Sequence, residues 1–177
     1  MVTIRPFEPD DLDACAELYV RVFAEPPWNE EWQPAEAREH LRHTVKTPGF
    51  VGMVAVDGDR VVGMVTGSCR SHAAGHFAML DDMFVDVPLR GQGIGQRLMD
   101  ELKGHLKATD CIAVGLLTQR TSRAAAFYRR YGFVEDPSVR FMLLDLGEQT
   151  HLGEQQRVRA PTPERPGHGG DAPPGPQ

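Results

Sequence analysis

The chain has 177 residues, 41% of them hydrophobic and 25% charged, with a net charge of −6. That length and balance suit one globular domain with a real core, and no apolar run reaches the roughly 20 residues that a membrane-spanning helix needs. The acidic excess argues against a nucleic-acid partner, whose phosphates are bound by Lys and Arg, and is compatible with a cationic small molecule.

Residues 3–6 predict a short first strand. Asp10 or Asp11 is placed to cap a following helix, and Leu12, Cys15, Leu18, Tyr19, Val22 and Phe23 recur at helical spacing. Glu25-Pro26-Pro27-Trp28-Asn29 breaks that helix, and Pro34 suits the first turn of a second one running to about Lys46. Residues 50–56 and 61–69 read as strands joined through Asp57-Gly58-Asp59, which is hairpin chemistry. Residues 77–87 read as a longer strand. A helix follows over 92–107, with Ile94, Leu98, Leu102 and Leu106 on one face. Residues 111–118 predict a buried strand and 122–131 a helix that Gly132 ends. Phe133-Val134 and residues 139–146 are expected to complete the sheet.

Composition changes near Gly147. From there on no aromatic residue occurs, the only large aliphatics are Leu152 and Val158, and six of the 14 prolines are found. Such a segment buries too little apolar surface to offset its ordering entropy. The expected organisation is a folded domain over residues 1–146 and a disordered tail over 147–177. The N-terminus lacks the apolar stretch and cleavage site of a signal peptide, so a cytoplasmic location is expected. Cys15, Cys69 and Cys111 are widely spaced and odd in number, which reads as buried free thiols.

The densest chemical signal is Arg90-Gly91-Gln92-Gly93-Ile94-Gly95, set between an apolar strand and an amphipathic helix. The first amides of a helix have no internal partner and sit at the positive end of its dipole. Glycines let a ligand approach the backbone, and Arg90 adds charge, so the turn is an anion pocket. A P-loop needs Lys-Ser/Thr after the last glycine, where Gln96-Arg97 stand. A dinucleotide fingerprint needs glycine where Gln96 and Leu98 stand. The pattern R/Q-x-x-G-x-G/A of an acyl-CoA pyrophosphate turn is filled at Arg90, Gly93 and Gly95.

Residues 80–99, with that turn at their centre, resemble the fourth strand, pyrophosphate loop and following helix of the GNAT superfamily of acyl-CoA N-acyltransferases. About 30 residues on, Ala124-Ala125-Ala126-Phe127-Tyr128-Arg129-Arg130-Tyr131-Gly132-Phe133 is similar to the family's A-x-x-F-Y-x-x-x-G-F element. The resemblance covers about residues 2–146. It implies an α/β (α+β) fold, a mixed and mostly antiparallel sheet of about six or seven strands with about four helices. It also implies transfer of an acetyl group from acetyl-CoA to a primary amine within a ternary complex. By resemblance the cofactor lies on Phe84, Val85, the Arg90 to Gly95 turn (Gln92 and Ile94 included), Thr121, Ala124 and Phe127. Thr121 stands where the family often has Asn.

That chemistry needs an amine freed of its proton, because an ammonium of pKa about 10 is no nucleophile. It also needs donors for the developing oxyanion and an acid for the departing thiolate. The motif register offers Tyr128 as the acid, although periodicity alone would read it as a core tyrosine. Asp82, an acid inside an apolar strand, is the expected base, with Asp81 as fallback because side chains alternate along a strand. The oxyanion donor is expected near the amide of Val85, where the family's fourth and fifth strands splay. Trp28 and Asn29, with Asp81, are expected at the acceptor, where rings beside acids suit a cationic amine. The spacings His40-x-x-His43 and His72-x-x-x-His76 read better as surface histidines than as metal ligands, and no metal is expected. The expected partners are a small-molecule amine and, as an assembly, a homodimer, with neither nucleic acid nor membrane. Two other readings stay open, acetylation of protein N-termini or lysines and a non-catalytic acyl-CoA sensor.

Overall fold

The computed structural model describes residues 1–142 and Leu144. Within them five strands form one sheet in the order β1 (Val2–Pro6), β2 (Phe50–Asp57), β3 (Arg60–His72), β4 (Gly75–Val85) and β5 (Cys111–Leu116). The first four pair antiparallel, and β5 runs parallel to β4. Parallel neighbours require a crossover, supplied here by α3 (Ile94–Ala108). The remaining helices are α1 (Leu12–Phe23), α2 (Pro34–Val45) and α4 (Arg123–Tyr131). This is the expected mixed α/β class. The number of strands among the described residues is five, because Phe133 and Val134 join no strand and the segment 139–146 falls partly outside those residues. The boundary expected at residue 146 lies outside them too. Contacts divide the chain into Met1–Glu135 and Asp136–Gln177. In the second unit the described residues form a turn, with Ser138 donating from its amide and hydroxyl to Asp136 Oδ1 at 2.8 and 2.6 Å.

Helices cover both faces of the sheet. α1 and α2 bury Cys15, Leu18, Val22 and Leu41 against Met64 and Phe84, while α3 buries Leu98, Leu102 and Leu106 against Val62, Val65 and Leu80. Two-sided burial explains why β2 and β3 read as nearly unbroken apolar runs. Cys15 is buried, whereas Cys69 and Cys111 are only partly so; all three are free. Among the described residues no helix is long and apolar enough to cross a membrane.

Two local expectations change. Asp11 stands at the N-cap of α1, but its carboxylate does not cap the helix. Arg5 donates to it from both terminal nitrogens at 2.7 Å, and the Glu8 amide adds a bond at 2.8 Å. A forked guanidinium outcompetes a single helix amide for that carboxylate. Phe133, expected in a strand, instead closes α4. Gly132 takes φ 114°, and the amides of Gly132 and Phe133 donate to the Arg129 and Tyr128 carbonyls at 3.1 and 2.9 Å. This Schellman pattern brings the residue after the glycine back onto the helix, and the rings of Phe133 and Tyr128 meet at 5.4 Å.

Candidate active site

β4 and β5 pair from His76 and Cys111 as far as Leu80 and Leu116. Beyond that point β4 runs on to Val85 paired with β3 only, so the sheet opens where β4 and β5 separate. A bulge sits at the same place. On β3, Val65 pairs with Met83 and Gly67 with Leu80, so Asp81 and Asp82 together face the single residue Thr66. The Thr66 hydroxyl accepts from the Asp82 amide at 3.1 Å. An extra residue reverses the alternation of side chains. Leu80 and Met83 therefore both pack on the α3 face, and Phe84 packs on the α1 and α2 face. Simple alternation along this strand does not hold at the two acids.

A cleft of about 910 Å³ occupies the opening. Its floor is Met83, Phe84 and Val85. Its walls are the Arg90 to Gln96 turn, α4 from Ser122, and Trp28 from the loop after α1. Gly91 and Gly93 have φ of 80° and 78°, left-handed values that favour glycine. Gly93 is the N-cap of α3, and the first intrahelical bond runs from the Arg97 amide to the Gly93 carbonyl at 3.0 Å. The amides of Ile94, Gly95 and Gln96 thus have no partner within the helix. Gly95 is small for a different reason, since a Cβ there would stand 2.9 Å from the Met83 methyl and 3.6 Å from the Phe127 ring. Arg90 folds back, its Nε donating to the Val85 carbonyl at 3.2 Å. Lys103, Arg123 and Arg130 add further positive charge to the lining.

α4 delivers Tyr128. Its cap is Ser122, whose hydroxyl accepts from the Ala125 amide at 3.0 Å. Thr121, one residue earlier, is exposed and does not cap the helix. Tyr128 is half-buried between Phe127 and Phe133, at 5.3 and 5.4 Å. Burial, assisted by the negative charge of Asp82, pushes its hydroxyl up to about 12.

On the other side of β4 a group of rings packs beside Asp82. Tyr19 stands 4.1 Å from Phe23, 5.3 Å from Trp32, 5.2 Å from His40 and 5.4 Å from Phe84. Trp32 Nε1 donates to Glu30 Oε2 at 2.6 Å. His40 Nε2 lies 3.1 Å from Asp82 Oδ2. The hydrogen bond to Asp82 raises the histidine pKa above its ordinary value. Burial opposes this, and the charges of Asp82, Asp81 and Glu30 reinforce it. Partial desolvation, followed by the charge of Asp82, raises the carboxyl of Asp81, against the influence of Arg70 and His40.

Of the residues expected to form the site, Trp28, Phe84, Val85, Arg90, Gly91, Gly93, Ile94, Gly95, Ala124, Phe127 and Tyr128 line the one cleft. Gln92, Thr121, Asn29, Asp81 and Asp82 do not. Gln92 donates to the Pro88 carbonyl, and Asn29 is exposed. His40, read from the sequence as a surface residue, is half-buried and engaged. The pattern that could have found it is the inward stripe of Ala37 and Leu41, beside which it falls. Tyr19 beside His40 and Ser122 at the α4 cap were likewise missed. Among the described residues no group of three or more His, Cys, Asp or Glu side chains is arranged to hold a metal.

A strand opening, an anion turn and a capped helix carrying a tyrosine define an acyltransferase class of site. The model of the acetyltransferase (GNAT) family matches residues 12–133. The chain belongs to that family and is an acetyltransferase enzyme. No curated relative matches the sequence. Among solved structures, an acetyltransferase from Trypanosoma brucei aligns at 22% identity with a TM-score of 0.63, covering 82% of this chain and 100% of that one. An aminoglycoside acetyltransferase from an uncultured soil metagenomic sample, in complex with sisomicin, aligns at 20% and 0.68, covering 82% and 97%. AAC(6′)-Iy in complex with the bisubstrate analog CoA-S-monomethyl-acetylneamine aligns at 15% and 0.64, covering 82% and 99%. At these identities the likeness is one of fold.

Proposed function

We propose that the enzyme moves an acetyl group from acetyl-CoA to a primary amine of a small cationic molecule, by direct attack within a ternary complex. The observation that carries this reading is the cleft itself, which joins the anion turn of α3, the half-buried Tyr128 and the aromatic wall of Phe23 and Trp28. The residues fit acetyl-CoA. Free amides at 94–96, the left-handed glycines and Arg90 suit a pyrophosphate, and a cleft of about 910 Å³ lies within the range of cofactor sites. Acetyl-CoA, when bound, supplies an acetyl group already activated as a thioester.

The remaining work falls to the chain. The amide of Val85, at the end of β4 that β5 leaves uncovered, is suited to donate to the acetyl oxygen as negative charge develops there. Tyr128 holds its proton up to about 12 and can give it to the departing sulfur. Asp82 takes the proton of the amine, directly or through water. Rings beside carboxylates hold the ammonium form of the acceptor first. Two of the solved neighbours are described with aminoglycoside-type ligands, which supports a polycationic acceptor.

Release of CoA should be measured with acetyl-CoA against spermidine, an aminoglycoside, a neutral aromatic amine and a lysine-containing peptide. Faster turnover of the two polycations, with a kcat/KM that falls as salt rises, is the expected result. Turnover of the peptide alone would replace the small-molecule reading with a protein substrate. Tight acetyl-CoA binding with no turnover of any amine would point to a sensor.

A further inference from the structure

His40 takes no part in the reaction as just drawn, yet it holds the group proposed as base. Its imidazole lies between Tyr19 and Trp32, at 5.2 and 5.4 Å, with Nε2 at 3.1 Å from Asp82 Oδ2. Tyr19 adjoins the same carboxylate: burial, then the charges of Asp82 and Glu30 and a hydrogen bond to Asp82, push its phenol up. No buried side-chain nitrogen or oxygen there lacks a partner, and the Asp82 side chain keeps 13% of its surface open to solvent. The charged and titratable groups facing the imidazole are Asp82 and Asp81 from β4, Glu30 from the loop before α2, and Tyr19 from α1. Glu30 is already engaged by the Trp32 indole.

The pair has two states with opposite consequences. A neutral imidazole with its proton on Nε2 donates to Oδ2. That bond fixes the carboxylate and leaves its full charge on offer at Oδ1. An imidazolium in the same place cancels the charge, and an ammonium arriving at Oδ1 then meets a neutral pair. We propose that His40 is a positioning residue for the acceptor: its neutral form presents Asp82 to the incoming ammonium, and its protonated form withdraws it. This rests on the reading that Asp82 serves the acceptor. Acetyl-CoA is untouched by the change, because the anion turn lies on a different element.

Spermidine is the probe, with CoA release as one readout and the imidazole resonances of His40 by NMR as another. In the wild-type enzyme the KM for spermidine falls by about tenfold per pH unit on the acid side of the His40 titration and then levels off. The KM for acetyl-CoA stays flat. His40→Gln keeps a donor but cannot charge, so its KM for spermidine holds at the low plateau across the same range. His40→Leu removes the donor and raises that KM at every pH. Spermidine should also lower the measured pKa of His40, and Asp82→Asn should abolish that effect. A wild-type pH profile in His40→Gln overturns the proposal. So does a His40 pKa that spermidine leaves unchanged in an enzyme that acetylates it. If the pKa responds but no CoA is released, the positioning role stands and the transfer reading fails for this amine. If neither responds, His40 is a structural residue.

Discussion

The candidate site has two ends, one of backbone amides and cations that line the cleft and one of rings and carboxylates packed around Asp82, on the other side of β4. The first end is one continuous stretch, Arg90 to Gln96, with Lys103, Arg123 and Arg130 around it. The second draws Tyr19 from α1, Trp28 and Trp32 from the loop, His40 from α2 and Asp82 from β4. A backbone cradle depends on φ and tolerates many side chains, because its donors are main-chain N–H groups. A box of side chains depends on each identity and on the packing that aims it. Damage at the two ends should therefore separate, one weakening acetyl-CoA and the other the amine.

Gly93→Glu is expected to separate them most. It puts a carboxylate where a phosphate would lie. Loss of two charge-assisted bonds, at about 1.5–3 kcal/mol each, lowers acetyl-CoA affinity by on the order of 100- to 10,000-fold. Gly93 has φ 78°, so any side chain there also strains the backbone, by about 1–2 kcal/mol. Gly93→Ala carries the same strain without the charge, and calorimetric titration of both variants isolates the electrostatic part. Equal acetyl-CoA affinity in folded Gly93→Glu and wild type would remove the pyrophosphate from this turn.

Tyr128→Phe comes next. The ring contacts to Phe127 and Phe133 survive, so the melting temperature and acetyl-CoA affinity should hold. Losing a positioned acid lowers kcat by about 100-fold. With the hydroxyl pushed up to about 12, wild-type kcat should show no alkaline decline from this group below that pH. A variant with normal kcat and poor acetyl-CoA binding would make Tyr128 a cofactor contact instead. Asp82→Asn should act at the other end, cutting kcat/KM for spermidine by roughly 10- to 100-fold. It should also flatten the salt dependence and leave the KM for acetyl-CoA alone. If both KM values move together, the two ends are coupled and their contrast fails.

The two ends also differ in how they are written in the chain. The anion turn was legible because its demands are local. Left-handed φ at Gly91 and Gly93 and a helix start at Ile94 are properties of consecutive residues. Tyr128 was legible through a motif ten residues long, whose closing Gly132 and Phe133 turn out to be the Schellman closure that packs against it. The acceptor end was not legible. The contact between His40 and Asp82 spans 42 positions, and it depends on a bulge opposite Thr66 that nothing in the spacing of Asp81 and Asp82 announces. The alternation rule assigned one acid inward and one outward, and the inserted residue broke that rule just where it was applied. The same gap explains why the strand expected at Phe133-Val134 resolved into a helix stop at Phe133, since six-to-one closure and strand entry begin with the same apolar residue after glycine.

The smallest expected effect tests whether the pair between His40 and Asp82 stabilises the fold as well as positioning the acid. The folded-state pKa of His40 is raised above the ordinary 6.5. The folded state then binds the proton more tightly than the unfolded chain does. The stability gained is fully present below about pH 6.5 and disappears as the pH rises through the raised folded value. Asp81 is also raised, from 3.8, and its contribution has the same sign but is lost at lower pH, so the two windows can be told apart. The imidazole is 36% exposed, and solvent screening limits such a pair to about 1 kcal/mol or less. For a domain of this size that corresponds to a melting shift of roughly 1–3 °C. Thermal melts of wild type and His40→Gln should therefore differ by that amount at pH 5.5 to 6 and converge above the His40 titration. Asp82→Asn should lower the melting temperature of wild type at pH 5.5 to 6 more than it lowers that of His40→Gln. A gap that instead widens with rising pH would have the wrong sign for a raised histidine and would mean that His40 supports the fold through its contacts with Tyr19 and Trp32 alone.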